Sequence, residues 1–352
     1  MKSKLLVAPS LLLLVMAVFA VTGLNISAQT ATPTPSPTPK PGATPRLEDQ
    51  VIEIETELVN ISVRVVDRNN RPINNLPQSD FKIYEDGVLQ QIDFFSKSEV
   101  PTNYSLVIDN SGSLRQQIEQ VIEAGKTLVG SNRQNDETAI IRFVSSDKIE
   151  VLQDFSKNKT DLNDALDNMY IEGGQTAIID AVYLSVERLN QNMTAQKDLD
   201  RTRRAIVLVT DGEDRSSYYS EAQLLELLKE SDVQIFVVGF VKELSNDKGF
   251  ISKSPQGKAK ALLERLASAT GGKSYFPASA SEMNTIAKDI ASELRSQYSI
   301  GFIPTNDKKD GTFRNIRVVV NDGPGSQKRI PITRAGRTAE KEGAAVAAPK
   351  LN

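Results

Sequence analysis

Apolar positions follow two different periodicities along the central part of the chain. Short, almost continuous apolar runs occupy 104–108, 205–210 and 233–239, and such runs are typical of strands that are buried on both faces. Between them, apolar residues recur every three or four positions, as they do on one face of a helix. The predicted helices cover 114–130, 162–169, 176–189, 221–230, 258–269 and 281–297. This alternation predicts an α/β fold whose sheet is mostly parallel and carries helices on both faces.

One pair of predicted strands departs from this alternation. The strand patterns at 138–144 and 149–152 are separated only by a short polar segment. Such a connection is too short for the crossover that two parallel strands require. We therefore expect the second strand of this pair to be an antiparallel strand at the edge of the sheet.

Strand patterns also flank the central α/β region on both sides. Before it, apolar and polar residues alternate over 59–65, and the Glu-Asp-Gly sequence at 85–87 is typical of a hairpin turn. After it, further strands are predicted at 299–303, 313–320 and 329–333. These patterns predict a small accessory β module, which the strands after the central region are candidates to join.

The amino-terminal segment has the pattern of a secretory leader. Lys2 and Lys4 precede an apolar run over 5–24, and cleavage fits after Ala28. The run is long for a signal peptide and contains Pro9, so an uncleaved amino-terminal anchor stays open as the alternative. Either interpretation places the rest of the chain outside the cytoplasm, as an exported periplasmic, cell-surface or secreted protein. The anchor is then the only membrane contact that we expect.

Composition completes the division of the chain into segments. A Pro/Thr-rich stretch after the leader predicts an extended, semi-rigid linker, and the Ala-, Gly- and charge-rich end of the chain is typical of a disordered tail. The predicted segments are a signal peptide or amino-terminal anchor at 1–28, a Pro/Thr-rich linker at 29–47, an amino-terminal β module at 48–100, a central domain at 101–298, carboxy-terminal β strands at 299–334 and a disordered tail at 335–352.

Two absences narrow the chemistry that this chain can perform. Its 352 residues include no cysteine and no histidine. The chain therefore has no disulfide, no thiol nucleophile, no Ser-His-Asp triad and no histidine-based zinc site. Its net charge is −3 and it carries no long basic stripe, so we expect no nucleic-acid partner.

Oxygen-bearing side chains cluster where two of the predicted strands end. Asp109, Ser111 and Ser113 lie on the loop that leads from the first central strand into its helix. Asp211 ends another apolar run, and Thr176 lies in a Gly-rich loop before a helix. Ligands bind at the carboxyl ends of strands in such sheets, and these oxygens suit Mg²⁺, Mn²⁺ or Ca²⁺ better than zinc or copper. The same residue types are common in ordinary turns, so the first loop alone leaves both interpretations open.

The order of these motifs resembles a known family. An Asp-x-Ser-x-Ser sequence at 109–113, a Thr in a Gly-rich loop and an Asp after a hydrophobic strand resemble the metal-ion-dependent adhesion site of the von Willebrand factor type A domain. The resemblance covers about 101–298. The motifs at 80–87 and 297–304 resemble those of a bacterial branch of the family. The resemblance implies a Rossmann-like, doubly wound fold for the central domain.

The resemblance also implies a metal site. All the family's ligand positions are filled, by Asp109, Ser111, Ser113, Thr176 and Asp211. It implies that the bound ion is Mg²⁺ or Mn²⁺, ahead of Ca²⁺. The hydroxyls of Ser111 and Ser113 would be direct ligands, and an Asp or Glu of a partner protein would complete the coordination.

The resulting hypothesis is an exported protein that mediates divalent-cation-dependent protein–protein interaction or adhesion and is not an enzyme. The alternative is a metal-independent structural scaffold of a cell-envelope complex. A metal-dependent hydrolase is less favoured, because no general base stands out beside the site. Glu213 and Asp214, which follow Asp211 closely, could tune the metal or contact a partner, but the interpretation as solvated loop acids is favoured.

Overall fold

The structure of the protein, a computed structural model, describes residues 58–97, 100–194, 202–245, 247, 254–339 and 341. The predicted leader at 1–28, the predicted linker at 29–47 and the last part of the predicted tail, 342–352, lie outside the described residues. No helix within the described ranges is both long enough and apolar enough to cross a membrane.

Strands and helices alternate through the middle of the described chain, and strands dominate on either side. The strands are β1 (Val59–Val66), β2 (Phe81–Glu85), β3 (Val88–Gln90), β4 (Phe94–Ser96), β5 (Thr102–Asp109), β6 (Glu137–Ser145), β7 (Lys148–Ser156), β8 (Arg203–Thr210), β9 (Val233–Gly239), β10 (Ser274–Tyr275), β11 (Tyr298–Phe302), β12 (Phe313–Val320), β13 (Ile330–Ile332) and β14 (Gly336–Thr338). The helices are α1 (Ile118–Gly130), α2 (Lys159–Asp167), α3 (Ile178–Thr194), α4 (Glu221–Glu230), α5 (Pro255–Ala269) and α6 (Met283–Arg295).

The central sheet has six strands in the spatial order β10-β9-β8-β5-β6-β7. β5 lies in the middle and is parallel to both of its neighbours, β6 and β8. β9 is parallel to β8 and to β10. β7 is antiparallel to β6 and closes one edge, as its short connection predicts. The prediction of a Rossmann-like, mostly parallel α/β sheet is confirmed.

Two hydrophobic cores cover the two faces of this sheet. All eight residues of β5 are buried, which explains its almost continuous apolar run. Successive residues of a strand point to opposite faces, so Leu106 and Ile108 lie in one core and Val107 lies in the other. Helices α1, α2 and α6 contribute to the first core, and α3, α4 and α5 contribute to the second. The predicted helices on both faces are therefore present.

Strands from before and after the central sheet form two further antiparallel sheets. Their spatial orders are β13-β1-β11-β4 and β14-β12-β2-β3. Val63 of β1 lies opposite Tyr298 of β11, and Ile83 of β2 lies opposite Val318 of β12. These four side chains are buried in a third hydrophobic core. The described residues all belong to one compact unit, Glu55–Asn352, so the domain boundaries stay predictions.

The predicted hairpin turn at 85–87 connects β2 and β3, which are neighbours in the second of these antiparallel sheets. Asp86 and Gly87 both have positive φ, 48° and 83°, as a type I′ turn requires. The Asp86 carboxylate also accepts a hydrogen bond of 2.8 Å from the backbone N–H of Asn315. The acid at the turn therefore joins strands of the two flanks.

The prediction of a disordered tail is wrong for its first residues. Residues 336–338 form β14, which pairs with β12. The Arg337 side chain forms an ion pair of 2.9 Å with Glu85, and these residues are only 5% and 2% exposed. The two partners are 252 positions apart, so the local composition of the tail carries no sign of this contact.

Candidate metal centre

Asp109 lies at the carboxyl end of β5, in the middle of the central sheet, and is completely buried. One carboxylate oxygen accepts a hydrogen bond of 2.9 Å from the backbone N–H of Ser111. The other oxygen accepts a hydrogen bond of 2.7 Å from the hydroxyl of Thr210, at the end of β8. The carboxylate is therefore held in a fixed orientation by the ends of two adjacent parallel strands.

Burial gives Asp109 an unusual electrostatic character. Loss of solvation is the main cause that raises the pKa of this carboxyl to about 6, and the nearby charge of Asp211 raises it further. Hydrogen bonds from Ser111 and Thr210 act in the opposite direction and favour the ionised form. A cation at this end of the sheet would offset the cost of burying the charge.

The two serines of the motif lie between the interior and the surface. Ser111 is buried and Ser113 is exposed, and their hydroxyl oxygens are 2.8 Å apart. The chain forms a short 3₁₀ turn at Gly112–Leu114. The regular helix α1 therefore begins at Ile118, one turn later than predicted. This arrangement directs two neutral oxygen donors to the same place.

Asp211 follows β8 and is only 6% exposed. Its carboxylate accepts a hydrogen bond of 3.0 Å from the backbone N–H of Glu213. Gly212 between them has a φ of +87°, and a Cβ atom there would lie 2.9 Å from the Cβ of Ala259. Only glycine allows the chain to turn this close to α5.

Thr210 connects the Asp109 carboxylate to the backbone of the loop that carries Asp211, and it is a residue that the sequence analysis missed. Its hydroxyl donates to Asp109 and accepts a hydrogen bond of 3.1 Å from the backbone N–H of Gly212. Thr210 is completely buried. A threonine at the end of an apolar strand gives no local sign of this role, because strand patterns tolerate threonine on either face.

Thr176 comes from a third loop and is also buried. Its backbone carbonyl accepts hydrogen bonds of 2.8 and 3.2 Å from the backbone N–H groups of Arg215 and Ser216. The Ser216 hydroxyl donates to the carbonyl of Gln175 at 2.6 Å. These bonds attach the loop that carries Thr176 to the loop that follows Asp211.

The acid at position 214 has a different role from the one predicted. The Asp214 carboxylate accepts hydrogen bonds from the backbone N–H of Ile179 at 3.2 Å and from the Ser217 hydroxyl at 2.6 Å. It therefore satisfies a free N–H group at the start of α3 and is not a freely solvated loop acid. Glu213 instead forms an ion pair with Arg215.

The predicted ligands are thus brought together to different degrees. Asp109, Ser111 and Ser113 are linked by hydrogen bonds, and Thr210 links the Asp109 carboxylate to the backbone N–H of Gly212, the residue after Asp211. The Asp211 carboxylate itself accepts from the backbone N–H of Glu213. Thr176 is joined only through backbone contacts of its loop. Within the described ranges, no hydrogen bond connects its side chain to the other four candidates.

The donor set fits a hard divalent cation. Across the described residues, no group of three or more Asp or Glu side chains is placed to hold a metal ion. The candidate site instead offers two carboxylates and three hydroxyls, and all of these are hard oxygen donors. Two carboxylates balance the charge of a dication, and oxygen donors of this kind suit Mg²⁺, Mn²⁺ or Ca²⁺.

Comparison with known proteins points to the same region of the chain. The family model of the von Willebrand factor type A domain matches residues 105–289. This match begins in β5, ends in α6 and contains all five candidate ligands. No curated protein matches the chain.

Several solved structures are similar to this chain at low sequence identity. An aerotolerance-related membrane protein from Bacteroides fragilis is 19% identical, with 55% of this chain and 98% of that chain covered and a TM-score of 0.42. A von Willebrand factor type A protein from Catenulispora acidiphila is 12% identical, with coverages of 75% and 74% and a TM-score of 0.45. Proximal thread matrix protein 1 from the mussel byssus, solved with a zinc-occupied MIDAS motif, is 18% identical, with coverages of 58% and 48% and a TM-score of 0.43.

Proposed function

Because the chain belongs to the von Willebrand factor type A domain family, we propose that it binds a protein partner through a divalent cation held at the end of its central sheet. The observation that carries this proposal is the hydrogen-bonded set of Asp109, Ser111 and Ser113, with Asp211 directly after Thr210, whose hydroxyl binds the Asp109 carboxylate. A buried acid beside two hydroxyls and a second acid is a set of donors that a hard cation would stabilise.

We assign each candidate ligand a part in holding the cation. The hydroxyls of Ser111 and Ser113 supply neutral donors, and Thr176 supplies a third from a separate loop. Asp109 and Asp211 supply the negative charge. When bound, Mg²⁺ or Mn²⁺, ahead of Ca²⁺, would act as an electrophilic centre that accepts an oxygen ligand from outside the protein.

The partner that this chemistry selects is a protein that presents an Asp or Glu side chain. Ser113 is exposed, so an external carboxylate has access to the side of the site where the hydroxyls lie. The amino-terminal leader pattern supports a location outside the cytoplasm, in the periplasm, on the cell surface or in the medium.

We propose binding rather than catalysis for this site. The chain has no histidine or cysteine to act as a base or nucleophile. The acid closest in sequence to Asp211, Glu213, is engaged by Arg215, and Asp214 is engaged by the start of α3. A metal-dependent hydrolase would need a free base at this position.

Calorimetry of the full chain with Mg²⁺ and Mn²⁺ tests this proposal directly. We expect the wild type to bind and the double variant Asp109→Ala/Ser111→Ala to lose binding, because one charged and one neutral donor are removed. The matched control is Asp310→Ala/Thr312→Ala, which removes another acid and hydroxyl two positions apart, hydrogen-bonded at 2.6 Å on the surface.

The outcomes of this experiment separate the candidate functions. Binding that the control variant keeps and the site variant loses supports a cation-dependent binding module. If the wild type binds neither ion at millimolar concentration, cation-dependent binding by the free protein is contradicted, and the metal-independent scaffold becomes the better account. The metal-dependent hydrolase would be favoured if a separate assay detected hydrolysis that stops on addition of a chelator.

A further inference from the structure

Asn110 lies between two of the proposed ligands, Asp109 and Ser111, and is completely buried. Its side chain is not one of the proposed cation donors. It is instead the point at which three segments of the chain meet. The proposed binding function leaves this residue without a role.

The backbone N–H and the backbone carbonyl of Asn110 both form hydrogen bonds to other segments of the chain. Its N–H donates to the carbonyl of Phe143 in β6 at 2.9 Å. Its carbonyl accepts a hydrogen bond of 2.9 Å from the backbone N–H of Glu172, in the loop that carries Thr176. The motif loop is thereby joined to the neighbouring strand and to the second ligand loop at one residue.

The side chain of Asn110 makes a second connection to the same loop. Its amide Nδ2 donates to the backbone carbonyl of Tyr170 at 2.7 Å. Tyr170 is fixed in turn by β6, because Arg142 donates to its hydroxyl at 2.6 Å and lies 4.2 Å from the centre of its ring. Asn110 therefore holds the beginning of the loop against a rigid part of the sheet.

The remainder of the loop depends on this anchor. Gly173 and Gly174 follow the anchored residues and lead to Thr176, whose own backbone is held by Arg215 and Ser216. The segment that carries Thr176 is therefore attached at two points. Asn110 makes the attachment that lies nearer to Asp109 and Ser111. Glu172 in this loop is also held by ion pairs with Lys148 at 2.6 Å and Arg142 at 3.6 Å. Loss of the Asn110 amide removes the bond to Tyr170 and would loosen the position of Thr176 relative to the serine hydroxyls.

We propose that Asn110 is a positioning residue that sets the location of the Thr176 hydroxyl relative to Ser111 and Ser113. This inference rests on the proposed cation site. It predicts that Asn110 affects cation affinity only through Thr176. An asparagine suits this role because its amide supplies a donor of the required length without placing a further charge beside the two acids.

A double-mutant cycle on Mn²⁺ affinity in the full chain tests the inference. We expect Asn110→Ala to weaken binding by about tenfold, within the range that is usual when a group supporting a metal ligand is lost. We expect Thr176→Ala to weaken binding as well, and the double variant to be no weaker than Thr176→Ala alone. Asn110→Ser, which keeps a small polar side chain that is too short to reach Tyr170, is the second variant if Asn110→Ala does not fold.

The matched control is Asn132→Ala at the opposite end of the same strands. Asn132 is also buried, accepts a hydrogen bond of 2.8 Å from Tyr104 and donates one of 2.7 Å to Thr138. Its loss should lower the melting temperature about as much as Asn110→Ala. It should leave Mn²⁺ affinity unchanged.

Each result has a distinct meaning. If Thr176→Ala weakens binding and Asn110→Ala does not, or if the two effects multiply in the double variant, the positioning role is overturned. Equal losses of affinity in Asn110→Ala and Asn132→Ala would also overturn it, because general destabilisation would then explain both. Failure of the wild type to bind Mn²⁺ would instead contradict the proposed function.

Discussion

At the scale of single residues, ionisation of the buried Asp109 carboxyl lowers the stability of the cation-free protein, although the proposed cation site uses the negative charge. Its carboxyl has a pKa of about 6 in the folded protein, whereas an unfolded chain has about 3.9. The folded state therefore holds the proton more tightly, and the stability present below pH 4 is lost as the pH rises through 6. Without a cation, the protein at pH 7 keeps a buried charge.

We therefore expect Asp109→Asn to stabilise the cation-free protein at pH 7. The free energy of unfolding should rise by up to about 3 kcal/mol, because the asparagine cannot ionise and the pKa of Asp109 differs by about two units between the folded and unfolded states. The measurement is urea unfolding in EDTA at pH 4 and pH 7, with the two proteins converging at the lower pH. A variant less stable than the wild type at pH 7 would contradict the argument.

A second prediction at this scale concerns the adjacent glycines of the Thr176 loop. A Cβ atom at Gly174 would lie 2.4 Å from the buried side chain of Val144, whereas one at Gly173 would meet nothing within 4 Å. Gly174→Ala should push the loop away from β6, destabilise the protein by about 1–3 kcal/mol and weaken Mn²⁺ binding. Gly173→Ala is the control and should be neutral or slightly stabilising. Thermal unfolding and Mn²⁺ titration of both variants test this prediction. Equal effects of the two substitutions on stability and on Mn²⁺ affinity would contradict it.

At the scale of elements, a buried ion pair between Arg337 and Glu85 joins β14 to β2. Arg337→Ala leaves the Glu85 charge buried without this partner and should cost about 3–5 kcal/mol. The control is Lys328→Ala, which breaks an exposed pair with Asp322 and should cost less than about 1 kcal/mol. Denaturant unfolding compares the two. Replacing both Arg337 and Glu85 by methionine should cost less than Arg337→Ala alone, and a larger cost would refute the argument.

The elements that follow from local patterns were predicted well. The predicted boundaries of α4 and β9 agree with the structure, and α4 begins with a capping box formed by Ser220 and Gln223. β14, which depends on distant contacts, was not predicted. β14 is short, and its partner Glu85 belongs to the opposite flank, so no local periodicity marks it.

The residues of the candidate site fall into the same two groups, those that a local motif indicates and those whose role depends on distant contacts. Family spacing supplied five ligands, and their assignment as ligands stays a prediction. The roles of Thr210 and Asn110 arise from the meeting of strands and loops that are far apart in sequence. A polar residue at the end of a strand looks the same in sequence whether it binds solvent, a neighbouring strand or a ligand loop.

At the scale of the whole molecule, the last residue of the predicted central domain, Tyr298, is packed against the strands of the amino-terminal flank. Tyr298 is only 1% exposed, and its ring lies 4.8 Å from that of Phe81. Its hydroxyl accepts from the N–H of Leu76 at 2.9 Å and donates to the carbonyl of Ile73 at 2.8 Å. A fragment limited to 101–298 loses all of these contacts.

We expect the fragment 101–298 to melt at least about 5 °C below the fragment 58–341, because the third core is missing. Differential scanning calorimetry measures this, with heat-induced aggregation as a second indicator of exposed apolar surface. Equal melting temperatures would show that the central domain is independent of the flanking strands, as the predicted boundary at 101 implies.

Strands from before and after the central sheet pair with each other, so the earlier strands are synthesised long before their partners. Leu76 emerges 222 residues before Tyr298, the residue that it binds. At ordinary rates of synthesis this interval lasts on the order of 10 to 40 seconds. During it β1 lacks both of its neighbours, β11 and β13, and β2 is paired only with β3. The nascent chain must therefore keep β1 unpaired, and one edge of the β2–β3 hairpin uncovered, while the central sheet is being made. A ribosome that stalls before residue 298 would carry β1 without its neighbour β11, and this is the stage at which a chaperone would be most needed.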